Sequence, residues 1–216
     1  MLKALLFDLD GTLAQTNSVH HSTWVKVLEP HGYDVTWDFY RDRISGRLAP
    51  EIVTDLLPDL SDEEAQEMAE KKEAQFREQA GDLEPLPGLL DLIAKGQERG
   101  MSIALVTNAP KENVFVVLDT LGLDDTFEPV ILAEEIGVSK PDPAPYQAAL
   151  EALNVSANEA VAFEDSPSGI ASSVDAGIPT VGIASTHDPE ELEKLGVDLV
   201  AQDFADPKLE TFIDGR

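Results

Sequence analysis

The stretch Phe7-Asp8-Leu9-Asp10-Gly11-Thr12-Leu13 follows the apolar run Ala4-Leu5-Leu6, and its reading decides the fold. An apolar strand ending in two carboxylates one residue apart presents both on the same face while the chain stays extended. In an open parallel sheet, ligands bind at that end of the strands, and Gly11 permits a sharp departure from it. Two acids side by side in a cleft are costly unless a cation joins them. Mg²⁺ suits such a pair, because it prefers hard oxygen ligands, keeps several waters and shares phosphate oxygens with carboxylates.

Working outward, further short runs rich in Leu, Val and Ile lie at Ile103 to Thr107, Pro129 to Ala133, Ala160 to Phe163, Pro179 to Ile183 and Asp198 to Ala201. Each reads as a strand. Segments of helical spacing alternate with them at Leu89 to Glu98, Asn113 to Leu121, Ala144 to Leu153 and Ile170 to Ala176. The alternation predicts an α/β fold, a doubly wound parallel sheet with a Rossmann-like core. From Thr16 to about Leu83 the pattern is helical only, with Asp62 to Arg77 so charged that it reads as largely solvated. The expected organisation is a core of residues 1-15 and 84-216 and an α-helical cap of residues 16-83 inserted after the first strand. Leu13 to Gln15 and Glu84-Pro85-Leu86-Pro87-Gly88 are its expected hinges, although the second also reads as an ordinary loop before a helix.

Three more segments fall at later strand ends. Val106-Thr107-Asn108 offers a hydroxyl and an amide to phosphoryl oxygens. In Ser139-Lys140-Pro141-Asp142-Pro143, Asp142 can cap the next helix while Lys140 points back into the cleft as a compact cation. Phe163-Glu164-Asp165-Ser166-Pro167-Ser168-Gly169 brings two more acids, which would complete a Mg²⁺ site. Singly, each fits a turn, a loop or a helix start; together, in this order, they point to one site.

Composition limits the partners. The 42 Asp and Glu against 15 Lys and Arg give a net charge of -27, which excludes a nucleic-acid footprint. No apolar stretch is long enough for a membrane span, and the absence of cysteine rules out disulfides and thiolate metal sites. The expected location is the cytoplasm. The surface reads either as ordinary solvation or as adaptation to high salt. An anionic substrate would need the few cations gathered at its site.

With these motifs in place, the chain resembles the haloacid dehalogenase superfamily of phosphohydrolases over nearly its whole length. The resemblance implies Asp8 as nucleophile, Asp10 as general acid and base, and Thr107 and Lys140 as holders of the phosphoryl group. It implies Mg²⁺ held by Asp8, Asp165 and the backbone carbonyl of Asp10, with Glu164 in support. Dehalogenation is set aside, because the dehalogenase branch lacks the acid that Asp10 supplies. The helical insert resembles the cap of the subgroup containing β-phosphoglucomutase and sugar-phosphate and phosphoglycolate phosphatases. That implies substrate contacts from Thr16, His20, Gly46, Arg47, Lys72 and Asn108. His20 beside His21 also fits a plain amphipathic helix, and Lys71-Lys72 a solvated face. Gln15 departs from the acid common in the subgroup, and Thr107-Asn108-Ala109-Pro110 is more similar to its phosphatases than to its mutases.

The expected activity is hydrolysis of a small phosphorylated metabolite, a sugar phosphate, by a monomer or weak homo-oligomer. A phosphomutase is the near alternative. A phospho-receiver domain is the alternative of another class, disfavoured because receivers are shorter and draw their acids from separate strands. A silent binding protein is disfavoured because no catalytic position is substituted.

Overall fold

A computed structural model describes all 216 residues. Six parallel strands, β1 (Ala4–Phe7), β2 (Ser102–Thr107), β3 (Val130–Leu132), β4 (Ala160–Glu164), β5 (Thr180–Ile183) and β6 (Leu199–Ala201), form one sheet in the order β3-β2-β1-β4-β5-β6. Winding reverses between β1 and β4, and a crevice at the carboxyl ends of the strands opens at that reversal. Four helices, α1 (Asn17–Leu28), α2 (Trp37–Arg43), α3 (Ala49–Leu56) and α4 (Asp62–Gln79), separate β1 from the rest. Seven more follow the insert: α5 (Leu89–Glu98) leads into β2, α6 (Lys111–Leu121), α7 (Ala133–Ile136), α8 (Ala144–Leu153), α9 (Pro167–Asp175) and α10 (Pro189–Glu193) connect the later strands, and α11 (Pro207–Asp214) follows β6. None is long and apolar enough to cross a membrane.

Side-chain alternation explains why the central strands are apolar throughout. Leu5, Phe7, Leu105, Val161 and Phe163 face one layer, where they pack with Leu89, Val117, Leu209 and Ile213 of α5, α6 and α11. Phe7 and Phe163 stack at 4.8 Å in this layer, directly beneath the strand ends. Burying each such ring contributes roughly 2–3 kcal/mol, so the floor of the crevice is among the most strongly held parts of the sheet. The opposite face carries Ala4, Leu6, Ala104, Ala160 and Ala162, and these small side chains let α8 lie close, with Tyr146 and Ala149 fully buried.

The four inserted helices have a core of their own, built from Trp24, Leu28, Val35, Tyr40, Ile44, Ile52, Val53 and Leu56 with Ala65 and Ala69 of α4. Ser61 and Glu64 close a capping box at the start of α4. Most of α4 is solvated as its charge suggests, but Ala65, Ala69, Lys72, Glu73 and Phe76 form one buried stripe. Lys71 is exposed, whereas Lys72 is only 2% exposed and Phe76 joins the sheet's own core cluster. The two connections to the insert are tied together: Leu86 N–H donates to the Leu13 carbonyl at 2.8 Å, and Ala14 bridges Pro85.

Candidate active site

β1 and β4 are neighbours, so the residues after them meet. Asp8 N–H donates to the Phe163 carbonyl at 3.0 Å, which extends the pairing one residue and sets Asp8 beside Glu164 and Asp165. One carboxylate oxygen from each of the three lies within 4.8 Å of the others, and all three residues are buried. Two glycines make this approach feasible. A Cβ on Gly11, at φ +74°, would stand 2.0 Å from Asp165 Oδ2, and one on Gly169 would stand 1.8 Å from Glu164 Oε2.

Lys140 brings the only cation into contact with this cluster. Its ammonium donates to Asp8 Oδ1 at 2.7 Å, Glu164 Oε1 at 2.6 Å and the Val106 carbonyl at 2.7 Å. The Tyr146 hydroxyl adds a donor to Glu164 Oε1 at 2.7 Å. Burial works against the Lys140 charge, but Asp8 and Glu164 more than offset it and hold its pKa above 10.5. One ammonium does not balance three acids. Burial and then Glu164 push the Asp8 carboxyl from 3.8 to about 8, against the pull of Lys140. Burial, Asp8 and Glu164 raise Asp165 as well. Glu164 Oε2 is left without a partner. Clustered hard oxygens, a shortage of positive charge and an orphaned carboxylate oxygen fit a divalent cation such as Mg²⁺.

The sign of this shift yields a test. Because the folded pKa of Asp8 lies above its ordinary 3.8, its contribution to the metal-free fold is fully present below that value and lost as pH rises through about 8. A cation requires the ionised form, so its binding releases the proton. Apparent Mg²⁺ affinity is therefore expected to strengthen from pH 6 to pH 8 and level off above. Calorimetric titrations across that range check it, and a pH-independent affinity would refute it.

Asp10 stands apart from the acid cluster. Its Oδ1 meets His20 Nε2 at 3.1 Å, while His20 Nδ1 lies 2.6 Å from the Lys72 ammonium. An ammonium only donates, so Nδ1 accepts and Nε2 carries the proton given to Asp10. Lys72 also donates to Glu73 Oε1 at 2.9 Å, and Asn113 on α6 donates to Glu73 Oε2 at 2.6 Å. His20 is stacked on Phe76 at 3.9 Å, which fixes its ring. Burial opposes ionisation of Asp10, but His20, Thr16 and Lys72 prevail and lower its pKa.

Asp8, Asp10, His20, Gly46, Arg47, Lys72, Thr107, Asn108, Lys140 and Asp165 line one cavity of about 770 Å³, floored by the strand ends and roofed by the inserted helices. Several expected substrate contacts have other partners. Thr16 is fully buried behind Asp10, its Oγ1 accepting from Gly11 N–H at 3.2 Å, and it does not reach the cavity wall. The Asn108 amide is spent on protein: Nδ2 donates to the carbonyls of Gly46 and Lys140 at 3.2 Å each, and Oδ1 accepts from Lys140 N–H at 3.0 Å. It holds the Lys140 loop instead of facing the cavity as a free donor. Gly46 permits contact between insert and core, since a Cβ at its φ of +74° would lie 2.4 Å from Ser168 Oγ. Arg47 reaches the cavity but donates to Asp55 Oδ2 at 3.0 Å and to the Arg43 carbonyl at 2.9 Å. Thr107 Oγ1 accepts from Ala109 N–H at 2.9 Å, and its hydroxyl hydrogen is free to point to the cavity. Sequence reasoning missed Asn17 and Tyr146, neither of which carries a spacing signal.

Fold and site together define an α/β protein with a carboxylate-rich, cation-accepting crevice at the switch point of its sheet. The chain belongs to the haloacid dehalogenase-like hydrolases, whose pattern matches residues 5–183. It is 32% identical over 205 residues to a validoxylamine A 7'-phosphate phosphatase of Streptomyces hygroscopicus subsp. limoneus, covering 91% of this chain and 92% of that one. A phosphorylated carbohydrates phosphatase of Thermotoga maritima is 30% identical, covering 83% of this chain and 84% of the relative. Among solved structures, β-phosphoglucomutase from Clostridium difficile superposes with a TM-score of 0.86 at 26% identity, over 99% of this chain and 96% of that one.

Proposed function

We propose that the chain is a Mg²⁺-dependent phosphatase that hydrolyses a small phosphorylated sugar or polyol through an aspartyl-phosphate on Asp8. The observation that carries this reading is the Asp8 carboxylate, held by Lys140 at 2.7 Å on the cavity floor with Asp10 two residues away. Residues 1-15 and 84-216 form the catalytic core in this reading, and residues 16-83 a cap that encloses the substrate. Asp8, Asp165 and the Asp10 carbonyl hold Mg²⁺, with Glu164 in support. When bound, the ion supplies positive charge to the phosphoryl oxygens.

An Asp8 oxygen attacks phosphorus in line, the bond from phosphorus to the ester oxygen breaks, and Asp10 gives that oxygen its proton. A water oxygen then attacks phosphorus, its proton passes to Asp10, and the bond to Asp8 breaks to release inorganic phosphate. Lys140 and Thr107 stabilise the charge on the transferring group. The lowered pKa keeps Asp10 ionised, the form that takes the water proton in the second step, and that proton is the one it gives to the ester oxygen of the next substrate. His20 Nε2–H steadies that carboxylate from behind.

The two phosphatases named above support a sugar-like leaving group. Purified protein with Mg²⁺ is expected to release inorganic phosphate from hexose or polyol monophosphates. Glucose 6-phosphate formed from β-glucose 1-phosphate and a trace of the bisphosphate, without phosphate release, would transfer the assignment to a mutase.

A further inference from the structure

We propose that Asn17 is a positioning residue for the Asp165 carboxylate, and that Tyr40 makes this hold depend on the seating of the inserted helices. The proposal rests on the reading above in one respect, that Asp165 is a Mg²⁺ ligand.

Asn17 is the first residue of α1 and is only 4% exposed. Its Nδ2 donates to Asp165 Oδ2 at 3.0 Å and to Thr186 Oγ1 at 2.7 Å, and its Oδ1 accepts from the Tyr40 hydroxyl at 2.6 Å. A cation on Asp165 requires its ionised form, and the reverse orientation of the amide would then set the carbonyl oxygen against a carboxylate, so cation binding selects this one. With Oδ2 tied to Asn17, the other oxygen of Asp165 is oriented for a cation, as a hydrogen-bonded outer partner orients a metal ligand. The contact is possible only because residue 11 is glycine, since a Cβ there would lie 2.4 Å from Asn17 Nδ2 and 2.0 Å from Asp165 Oδ2.

Tyr40 brings the insert into this arrangement. It lies on α2, is 2% exposed, and packs edge-on against Trp37 at 5.6 Å and His21 at 5.7 Å. Its ring belongs to the insert's own core, so its hydroxyl moves with those helices. Asn17, by contrast, is anchored to the sheet side through Asp165 and Thr186. The chain Tyr40–Asn17–Asp165 therefore joins the roof of the cavity to an acid on its floor. Displacing the roof would remove the acceptor's partner, free the amide to rotate and loosen Asp165.

The test is calorimetric titration of the full chain with Mg²⁺ at pH 8, without substrate, for wild type, Asn17→Ala, Tyr40→Phe and the double variant. Asn17→Ala is expected to weaken Mg²⁺ binding about tenfold, the lower end for loss of an outer-shell partner. Tyr40→Phe, which never touches Asp165, is expected to weaken it about threefold, as loss of one hydrogen bond does. In the Asn17→Ala background, Tyr40→Phe is expected to add nothing, because its route to Asp165 is gone. Unchanged Mg²⁺ affinity in the single variants, with only a lower melting temperature in EDTA, would mean a purely structural role and overturn the proposal. So would additive losses in the double variant. If Asn17→Ala fails to fold, Tyr40→Phe decides alone, an unchanged affinity overturning the proposal. A wild-type chain that takes up no Mg²⁺ would instead overturn the metal reading on which the proposal rests.

Discussion

Asp8→Asn is expected to lower phosphate release from p-nitrophenyl phosphate or a hexose phosphate by more than about 10⁴-fold, as loss of a covalent nucleophile does. The amide fills the same space but neither attacks phosphorus nor carries the charge a cation needs. Stability should move the other way. Asp8 is one of three buried acids facing a single ammonium, and its carboxyl resists ionisation up to about pH 8. Removing it leaves Lys140 paired with Glu164 at 2.6 Å and relieves the repulsion between Asp8 and Asp165. In EDTA at pH 8, Asp8→Asn should therefore melt at or above the wild-type temperature, while Mg²⁺ raises the wild-type midpoint more than the variant's. Loss of turnover together with a collapsed melting temperature would point to misfolding, and full turnover in Asp8→Asn would dismiss the nucleophile.

Much of this site is legible in the sequence because a parallel sheet collects its chemistry at strand ends. Asp8, Thr107 and Glu164 each stand at or just after the last residue of an apolar run, and the strand order β2-β1-β4 sets all three runs side by side. Lys140 is legible because the Lys-Pro-Asp-Pro sequence sets it just before a helix, although its three acceptors belong to β1, β2 and β4. The insert is less legible, because its side-chain roles depend on docking across the cavity. Lys72 belongs to a helix that looks solvated, and its burial follows only from α4 lying against His20, Trp24 and the core. Arg47 looks like a free anion binder until Asp55, in the last turn of α3 and eight residues away, claims it. Asn17 gives no local signal at all; its three partners are 23, 148 and 169 residues distant in the chain. Such contacts are tertiary facts that neither periodicity nor motif spacing encodes.

Lys140→Ala is expected to be the most damaging single change to the fold itself. The ammonium is buried, and its three donors satisfy Asp8, Glu164 and the Val106 carbonyl at 2.6–2.7 Å. Truncation leaves Asp8 and Glu164 buried beside Asp165 with no cation among them and only the Tyr146 hydroxyl still on Glu164. Breaking a buried pair in this way costs about 3–5 kcal/mol, whereas exposed, solvent-screened pairs such as Lys95–Glu210 matter far less to the fold. For a chain of this length the melting midpoint should fall by on the order of 10 °C. Two conditions should shrink that loss. Mg²⁺ replaces part of the missing charge, so the gap from wild type should be larger in EDTA than in the metal. Protonation does the same, since Asp8 and Asp165 already resist ionisation and the variant lacks the cation that opposes this for Asp8, so the gap should be larger at pH 8 than at pH 6. Lys140→Arg should not restore the fold, because a planar guanidinium cannot direct donors to three converging oxygens as an ammonium does. Melting curves at both pH values with and without Mg²⁺ test all of this. A gap indifferent to both pH and metal would mean that Lys140 stabilises the fold by packing alone, and the charge-balance account of the site would fall with it.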